Sequence, residues 1–265
     1  MAEAVAERLT VGTGEACREI AVLRREGAAP GLFWLGGFRS DMNGTKATAV
    51  DAFASADGLA AVRFDYSGHG VSGGRFEGGT IGRWLEEARA VFDRFTEGPQ
   101  ILVGSSMGGW IALHLAIAFR DAARIAGLVL IAPAVDMTRA LIWDRWDTAT
   151  RERFMATGAH REPSPHSTDA TLITRALIED GDHYLFGERL IEVGCPVTIL
   201  QGVADAEVPW RHAAGLVSRL ASDDVVLTLV KDGDHRLSRP EDIERLRAAI
   251  ASMVADARSA PAGLA

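Results

Sequence analysis

Ten residues constrain this chain more than any others. Residues 101–110 read Ile-Leu-Val-Gly-Ser-Ser-Met-Gly-Gly-Trp. An apolar run leads into Gly104-x-Ser106-x-Gly108, and a largely apolar helix, Trp110–Phe119, follows. A turn this sharp strains the backbone at Ser106, so the residues two positions away must be tiny. It lifts Ser106 Oγ above the edge of a sheet. It also aims the free N–H groups and positive dipole end of the next helix at the same place. A second copy of the spacing, Gly70-x-Ser72-x-Gly74, runs into Gly73-Gly74-Arg75-Phe76-Glu77-Gly78-Gly79. That run cannot open a helix, so Ser72 reads as a loop residue.

The surrounding chain has the rhythm such a turn needs. Short apolar runs alternate with amphipathic stretches, as in a mostly parallel sheet flanked by helices. Strands are expected at Glu19–Leu23, Leu32–Leu35, Ala60–Phe64, Ile101–Val103, Leu128–Ile131, Pro196–Leu200 and Val225–Val230. Helices are expected at Ala47–Ala56, Ile81–Phe95, Trp110–Phe119, His212–Leu220 and Glu241–Val254. The tail Ser259–Ala265 reads as small and flexible. From Thr138 to Leu190 no strand-like run is visible. This stretch reads as a helical cap inserted into the sheet, because long insertions in compact domains are usually functional. The expected organisation is thus an α/β core over 1–137 and 191–265, with a cap over 138–190. Trp143 and Trp146 are three apart and would share a helix face. They are expected either to form an apolar, substrate-binding wall over Ser106 or to pin the cap to the core.

A serine hydroxyl is a weak nucleophile and needs a base held by an acid. Around such a turn the chain order is serine, then acid, then histidine. Asp205 lies just past the strand ending at Leu200, and His235 just past the strand ending at Val230. Ser106, Asp205 and His235 therefore each follow a separate strand, in the required order. Asp136, after the strand ending at Ile131, is the rival acid, and Asp232 and Asp234 read as turn formers. Among the other histidines, His114 reads as a satisfied core residue. His160, His166 and His183 read as solvated cap residues, and His69 and His212 follow no late strand. An oxyanion needs two backbone donors. The Met107 N–H and, from the loop Gly36-Gly37-Phe38, the Phe38 N–H are the candidates.

Composition narrows the classes. The chain has 265 residues, 48% hydrophobic and 24% charged, with a formal net charge of −8. That balance is globular rather than disordered, and the acidity disfavours nucleic acid as a partner. The two cysteines, Cys17 and Cys195, fit neither a disulfide scaffold nor a four-ligand zinc site. Gly68-x-Gly70-x-x-Gly73 has a dinucleotide-binding spacing but no helix opening at its last glycine. No cofactor and no metal is expected. The longest apolar run, Gly127 to Val135, is about half a membrane span, so no membrane span is expected. The acidic N-terminus has no basic or apolar targeting region, and the expected location is cytoplasmic.

These residues resemble the α/β-hydrolase superfamily of serine hydrolases. Asp65-Tyr66-Ser67-Gly68-His69-Gly70-Val71-Ser72 is similar to its D-x-x-G-x-G-x-S loop. Asp41–Ala47, Arg63–Gly68, Gly98–Ser106, Asp205–Trp210 and Asp234-His235-Arg236 resemble the mitochondrial palmitoyl-protein thioesterase subfamily, also described as mycophenolic acid acyl-glucuronide esterases. The resemblance spans about residues 30 to 250 and is weakest in the cap. It implies that Ser106, Asp205 and His235 serve as nucleophile, acid and base. It also implies hydrolysis of carboxylic esters or thioesters, of a small molecule or an S-acylated protein. The rival readings are an enzyme acting on an amide, peptide or C–C bond, a non-catalytic binder with the same fold, and a nucleotide-binding protein.

Overall fold

The computed structural model describes residues 3–163, 170–221 and 224–259. The chain runs β1 (Val5–Val11), β2 (Arg18–Arg25), β3 (Ala28–Leu35), α1 (Thr45–Asp57), β4 (Leu59–Phe64), α2 (Ile81–Phe95), β5 (Gln100–Ser105), α3 (Met107–Phe119) and β6 (Ile125–Ile131). It continues through α4 (Thr148–Thr157), β7 (Ala159–Glu162), β8 (Thr171–Thr174), α5 (Arg175–Gly181), β9 (Val197–Gly202), α6 (Trp210–Arg219), β10 (Val225–Val230) and α7 (Pro240–Ser259).

Among the described residues, eight strands form one sheet in the order β1-β2-β4-β3-β5-β6-β9-β10. From β4 to β10 every neighbouring pair is parallel, and β1 and β2 close the other edge antiparallel. All six residues of β5 are buried, as expected of a central parallel strand covered on both faces. One core packs α2 and α3 against the sheet through Trp84, Phe92, Trp110 and Leu113. A second packs α1 and α7 against the opposite face through Val50, Ala54, Leu246 and Ile250. Helix α2 buries Trp84, Ala88, Val91, Phe92 and Phe95, the face its spacing predicts, and Thr80 caps it by accepting the Arg83 N–H at 3.2 Å.

Val5–Val11, for which the sequence offers no strand signal, forms an edge strand paired with β2; its mixed polar and apolar residues suit a strand with one neighbour. One expectation needs correcting. The stretch Thr138–Leu190 is not purely helical, because β7 and β8 form an antiparallel pair in register His160↔Ile173 and Arg161↔Leu172. Four-residue strands containing His160, Arg161 and Glu162 carry too little apolar periodicity to be read from sequence. The insertion opens with a wide π-type turn, Met137–Ile142, and a tight 3₁₀ turn, Trp143–Arg145. Its Ile142, Trp146, Phe154, Ile173, Leu177 and Phe186 join the core on the α3 face. Cys17 is exposed, Cys195 is buried, and both are free. His166 and the tail beyond Ser259 lie outside the described residues.

Candidate active site

Ser106 sits between β5 and α3 with φ 54° and ψ −118°, a conformation other residues avoid unless their surroundings impose it. The glycines around it explain how. A Cβ at Gly108 would stand 2.0 Å from the Leu35 carbonyl oxygen, and one at Gly104 would stand 2.6 Å from the Gly108 oxygen. The first turn of α3 thus packs onto the end of β3. The strained peptide is fixed by Ser106 N–H to the Ile131 carbonyl at 2.9 Å and by Ala134 N–H to the Ser106 carbonyl at 3.1 Å.

The structure brings Ser106, His235 and Asp205 together. Ser106 Oγ lies 3.1 Å from His235 Nε2, and His235 Nδ1 lies 2.8 Å from Asp205 Oδ2. The Asp205 side chain is fully buried. Its Oδ1 accepts the N–H groups of Glu207 at 2.9 Å and Val208 at 2.8 Å, and its Oδ2 accepts Gln201 Nε2–H at 3.1 Å. All three partners are donors, which suits an acceptor-only carboxylate and keeps Oδ2 facing the imidazole. The two loops are laced together by Ala204 N–H to the Gly233 carbonyl at 3.0 Å. Asp234 receives the Leu237 N–H at 2.9 Å, the turn-forming role expected of it. Glu207 Oε2, at 3.9 Å from His235 Nε2, is beyond hydrogen-bond reach.

Asp136 serves elsewhere. It receives the N–H groups of Phe186 at 2.8 Å and Gly187 at 3.0 Å and pairs with Arg219 at 3.4 Å. It therefore ties the returning end of the insertion to α6. His114 contacts the Tyr184 carbonyl at 2.9 Å and stacks on Phe186 at 4.4 Å, a satisfied position between α3 and the insertion. His212 contacts the Val135 carbonyl at 2.8 Å. Ser72 is a loop residue: its Oγ donates to the Asp65 carbonyl at 2.6 Å and accepts the Ala21 N–H at 2.8 Å. Burial pushes the Cys195 thiol up to about 12, which leaves it no thiolate near neutral pH.

Ser106 and His235 open onto a cavity of about 530 Å³, within the usual range for small-molecule sites. Met137, Leu141, Ile142 and Ile173 from the insertion, with Trp34 and Phe38, form its apolar part; Lys46, Arg145, Glu162, Glu207 and Arg236 make much of the rest charged. Gly37 and Phe38 line it beside Ser106, and a Cβ at Gly37 would stand 3.3 Å from Ser106 Cβ. Met107 is the first residue of α3, so its N–H has no partner within the helix.

Trp143 and Trp146, expected either as a wall over Ser106 or as pins holding the cap to the core, do not line this cavity among the described residues and pack with the core instead. Their rings lie 5.9 Å apart and pack on Phe154 at 6.0 and 4.9 Å. Trp146 also donates its Nε1–H to Glu162. Local geometry explains why the wall is not built from them. The segment is a π turn followed by a 3₁₀ turn, and Trp146 is already extended, so a spacing of three does not put both rings on one helix face.

Three positions escaped the sequence reading. Gln201, fully buried, orients Asp205 and also donates to the Val208 carbonyl at 3.0 Å. Lys46, in the first turn of α1, donates to the carbonyl of Arg236, next to His235; burial, with help from Arg236, lowers its pKa to about 8. His69 touches the loop carrying Phe38. The contacts of Lys46 and His69 are long-range and only the fold reveals them, although His69 lies inside the D-x-x-G-x-G-x-S loop; those of Gln201 stay within the loop after its own strand.

The serine aminopeptidase S33 family model matches residues 36–176. A palmitoyl-protein thioesterase, ABHD10, mitochondrial, of Bos taurus is 37% identical over 230 residues, covering 86% of this chain and 74% of that protein. A crystal structure of a hydrolase-like protein of Agrobacterium vitis S4 superposes with TM-score 0.93 at 50% identity, covering 96% of this chain and all of that one. The α/β-hydrolase domain-containing protein 10 from mouse superposes with TM-score 0.86 at 34% identity, covering 94% and 99%.

Proposed function

The chain belongs to the α/β-hydrolase family matched by the serine aminopeptidase S33 model, and from that premise we propose a serine hydrolase that splits carboxylic esters or thioesters through an acyl-enzyme on Ser106. The single observation that supports it most is the unbroken chain Ser106 Oγ, His235, Asp205 at 3.1 and 2.8 Å. In this reading His235 Nε2 takes the hydroxyl proton as Oγ attacks the carbonyl carbon. Asp205 keeps the imidazole in the Nδ1–H tautomer and stabilises the imidazolium. The N–H groups of Met107 and Phe38 receive the oxyanion. His235 then protonates the departing thiolate or alkoxide. Water deprotonated by the same nitrogen releases the acid and restores Ser106.

The substrate class follows from the relatives' names and the cavity. Relatives are named palmitoyl-protein thioesterases, which favours an S-acylated protein or a small acyl thioester over an amide. The insertion face with Met137, Leu141, Ile142 and Ile173 is the acyl side. The charged remainder of the lining faces the leaving group. The relatives are also named mitochondrial; a cytoplasmic location for this chain is a proposal that fractionation tests, and the described residues include no helix long and apolar enough to cross a membrane.

A fluorophosphonate probe tests the reading. It should label the wild type and not Ser106→Ala, while Ser105→Ala and Ser72→Ala keep the label. The Ser106→Ala protein should also lose hydrolysis of both p-nitrophenyl acyl esters and S-acyl-cysteine thioesters. Label or turnover surviving in Ser106→Ala overturns the assignment. Turnover on aminoacyl amides above that on thioesters overturns the substrate class.

A further inference from the structure

His69 stands outside the Ser106, His235 and Asp205 chain, yet it is only 4% exposed and fully engaged. Its Nδ1 lies 3.1 Å from the Ser67 carbonyl oxygen, and its Nε2 receives the backbone N–H of Arg39 at 3.1 Å. These partners fix the tautomer: Nδ1 carries the proton and donates, and Nε2 offers a lone pair. Burial lowers the pKa of His69 to about 4, so the ring stays neutral and the lone pair stays available near neutral pH.

Arg39 follows Phe38 directly and has φ 60°, a left-handed conformation unusual for a residue with a Cβ. Such a turn persists only where its surroundings impose it. Ser40 N–H closes it on the Gly37 carbonyl at 3.0 Å, and Met42 N–H reaches Asp65 Oδ1 at 2.7 Å. The Phe38 ring packs on Phe76 at 5.0 Å and Trp84 at 5.7 Å. The His69 ring packs on the same two rings, at 5.3 and 5.2 Å. Behind it, Ser67 is held in turn: its N–H and Oγ–H donate to the buried Glu87 at 2.8 and 2.6 Å, and Trp84 Nε1–H donates to its carbonyl at 3.2 Å. A rigid buried network therefore ends, through one imidazole nitrogen, on the peptide next to Phe38.

We propose that His69 is a positioning residue: by accepting the Arg39 N–H it holds the Gly37–Arg39 turn so that the Phe38 N–H meets the oxyanion formed at Ser106. It acts through the backbone and does not touch substrate. The proposal rests on the reading of Ser106 and Phe38 given above.

Two substitutions separate this role from simple packing. The amide of His69→Asn can still donate to Ser67 but is too short to accept from Arg39. The longer amide of His69→Gln places its oxygen where Nε2 stood. Losing alignment of one oxyanion donor should lower kcat of His69→Asn by about 10- to 100-fold, somewhat less than removing a donor outright, with KM within about twofold. His69→Gln should recover kcat to within a few fold of wild type. A trifluoromethyl ketone, which forms an anionic tetrahedral adduct on Ser106, should lose affinity for His69→Asn by the same factor as kcat/KM. Binding of the product carboxylate should change little.

Unchanged kcat in His69→Asn overturns the proposal. So does a loss that His69→Gln shares while melting like wild type, or a loss of kcat without loss of ketone affinity. Should His69→Asn not fold, the His69→Gln protein carries the test alone: near-normal kcat and ketone affinity support the role, and a folded, inactive protein overturns it. Ser106→Ala is measured alongside. Turnover surviving there overturns the Ser106 reading and this proposal with it. Turnover lost there but normal in His69→Asn overturns the role of His69 alone.

Discussion

The side chain of Asp205 shows how one carboxylate is set apart from its neighbours. It is buried, accepts two backbone N–H groups and one amide, and uses its remaining capacity on His235. Asp205→Asn keeps the shape but offers the imidazole a wrong partner, so kcat should fall by about four orders of magnitude with the fold intact. Asp136→Asn should behave in the opposite sense. It leaves the Ser106 chain untouched but weakens the anchors to Phe186, Gly187 and Arg219. Its expected cost is about 1–3 kcal/mol of stability with near-normal kcat. Steady-state kinetics and melting of the two variants check both statements, and reversed outcomes would exchange the roles. The site was legible at this scale where chemistry is local. The spacing around Ser106 encodes the steric limits seen at Gly104 and Gly108. Asp205 and His235 followed from their places after successive strands. Lys46 and His69 were not legible, because their partners Arg236 and Arg39 lie on other elements; Gln201 reaches only into the loop that follows it, but its spacing to Asp205 and Val208 matches no pattern that announces the contact.

At the scale of elements, the insertion between β6 and β9 carries two kinds of apolar residue. Trp143, Trp146 and Phe154 pack on one another, whereas Leu141 lines the cavity. Trp146→Ala should therefore cost roughly 3–5 kcal/mol and lower the melting temperature by roughly 10 °C. It should keep the dependence of kcat/KM on acyl length. Each added methylene is worth up to about 0.8 kcal/mol, or roughly fourfold, until the cavity is full. Leu141→Ala should flatten that rise while melting close to wild type. A flattened rise in Trp146→Ala, with none in Leu141→Ala, would return the tryptophans to the acyl site. The central strands and helices were legible because burial on both faces of a parallel sheet leaves continuous apolar runs. The β7 and β8 pair was not, because four-residue strands with exposed charges have no such run.

At the scale of the whole molecule, burial disfavours the charged form of three histidines. Burial lowers the pKa values of His69, His114 and His212, His69 to about 4. The unfolded chain binds these protons more readily than the folded one, so stability is full above about 6.5, the ordinary histidine value, and is lost as the pH falls toward 4. His69 alone accounts for on the order of 3 kcal/mol of that loss. Urea unfolding from pH 7 to pH 4 should show the decline, and His69→Gln should show a shallower one. Identical slopes would mean that His69 is not held neutral by the fold.

The central claim is an acyl group carried on Ser106. Wild-type protein mixed with an S-acyl thioester and quenched in acid within milliseconds gives the direct measurement, by peptide mass mapping with thiol release followed in parallel. The account predicts a mass gain equal to the acyl group on the peptide containing Ser106, and a burst of thiol approaching one per enzyme when deacylation is the slower step. Asp205→Asn should form the same adduct far more slowly. Acyl mass on another residue, or turnover in Ser106→Ala at the wild-type rate, would contradict it.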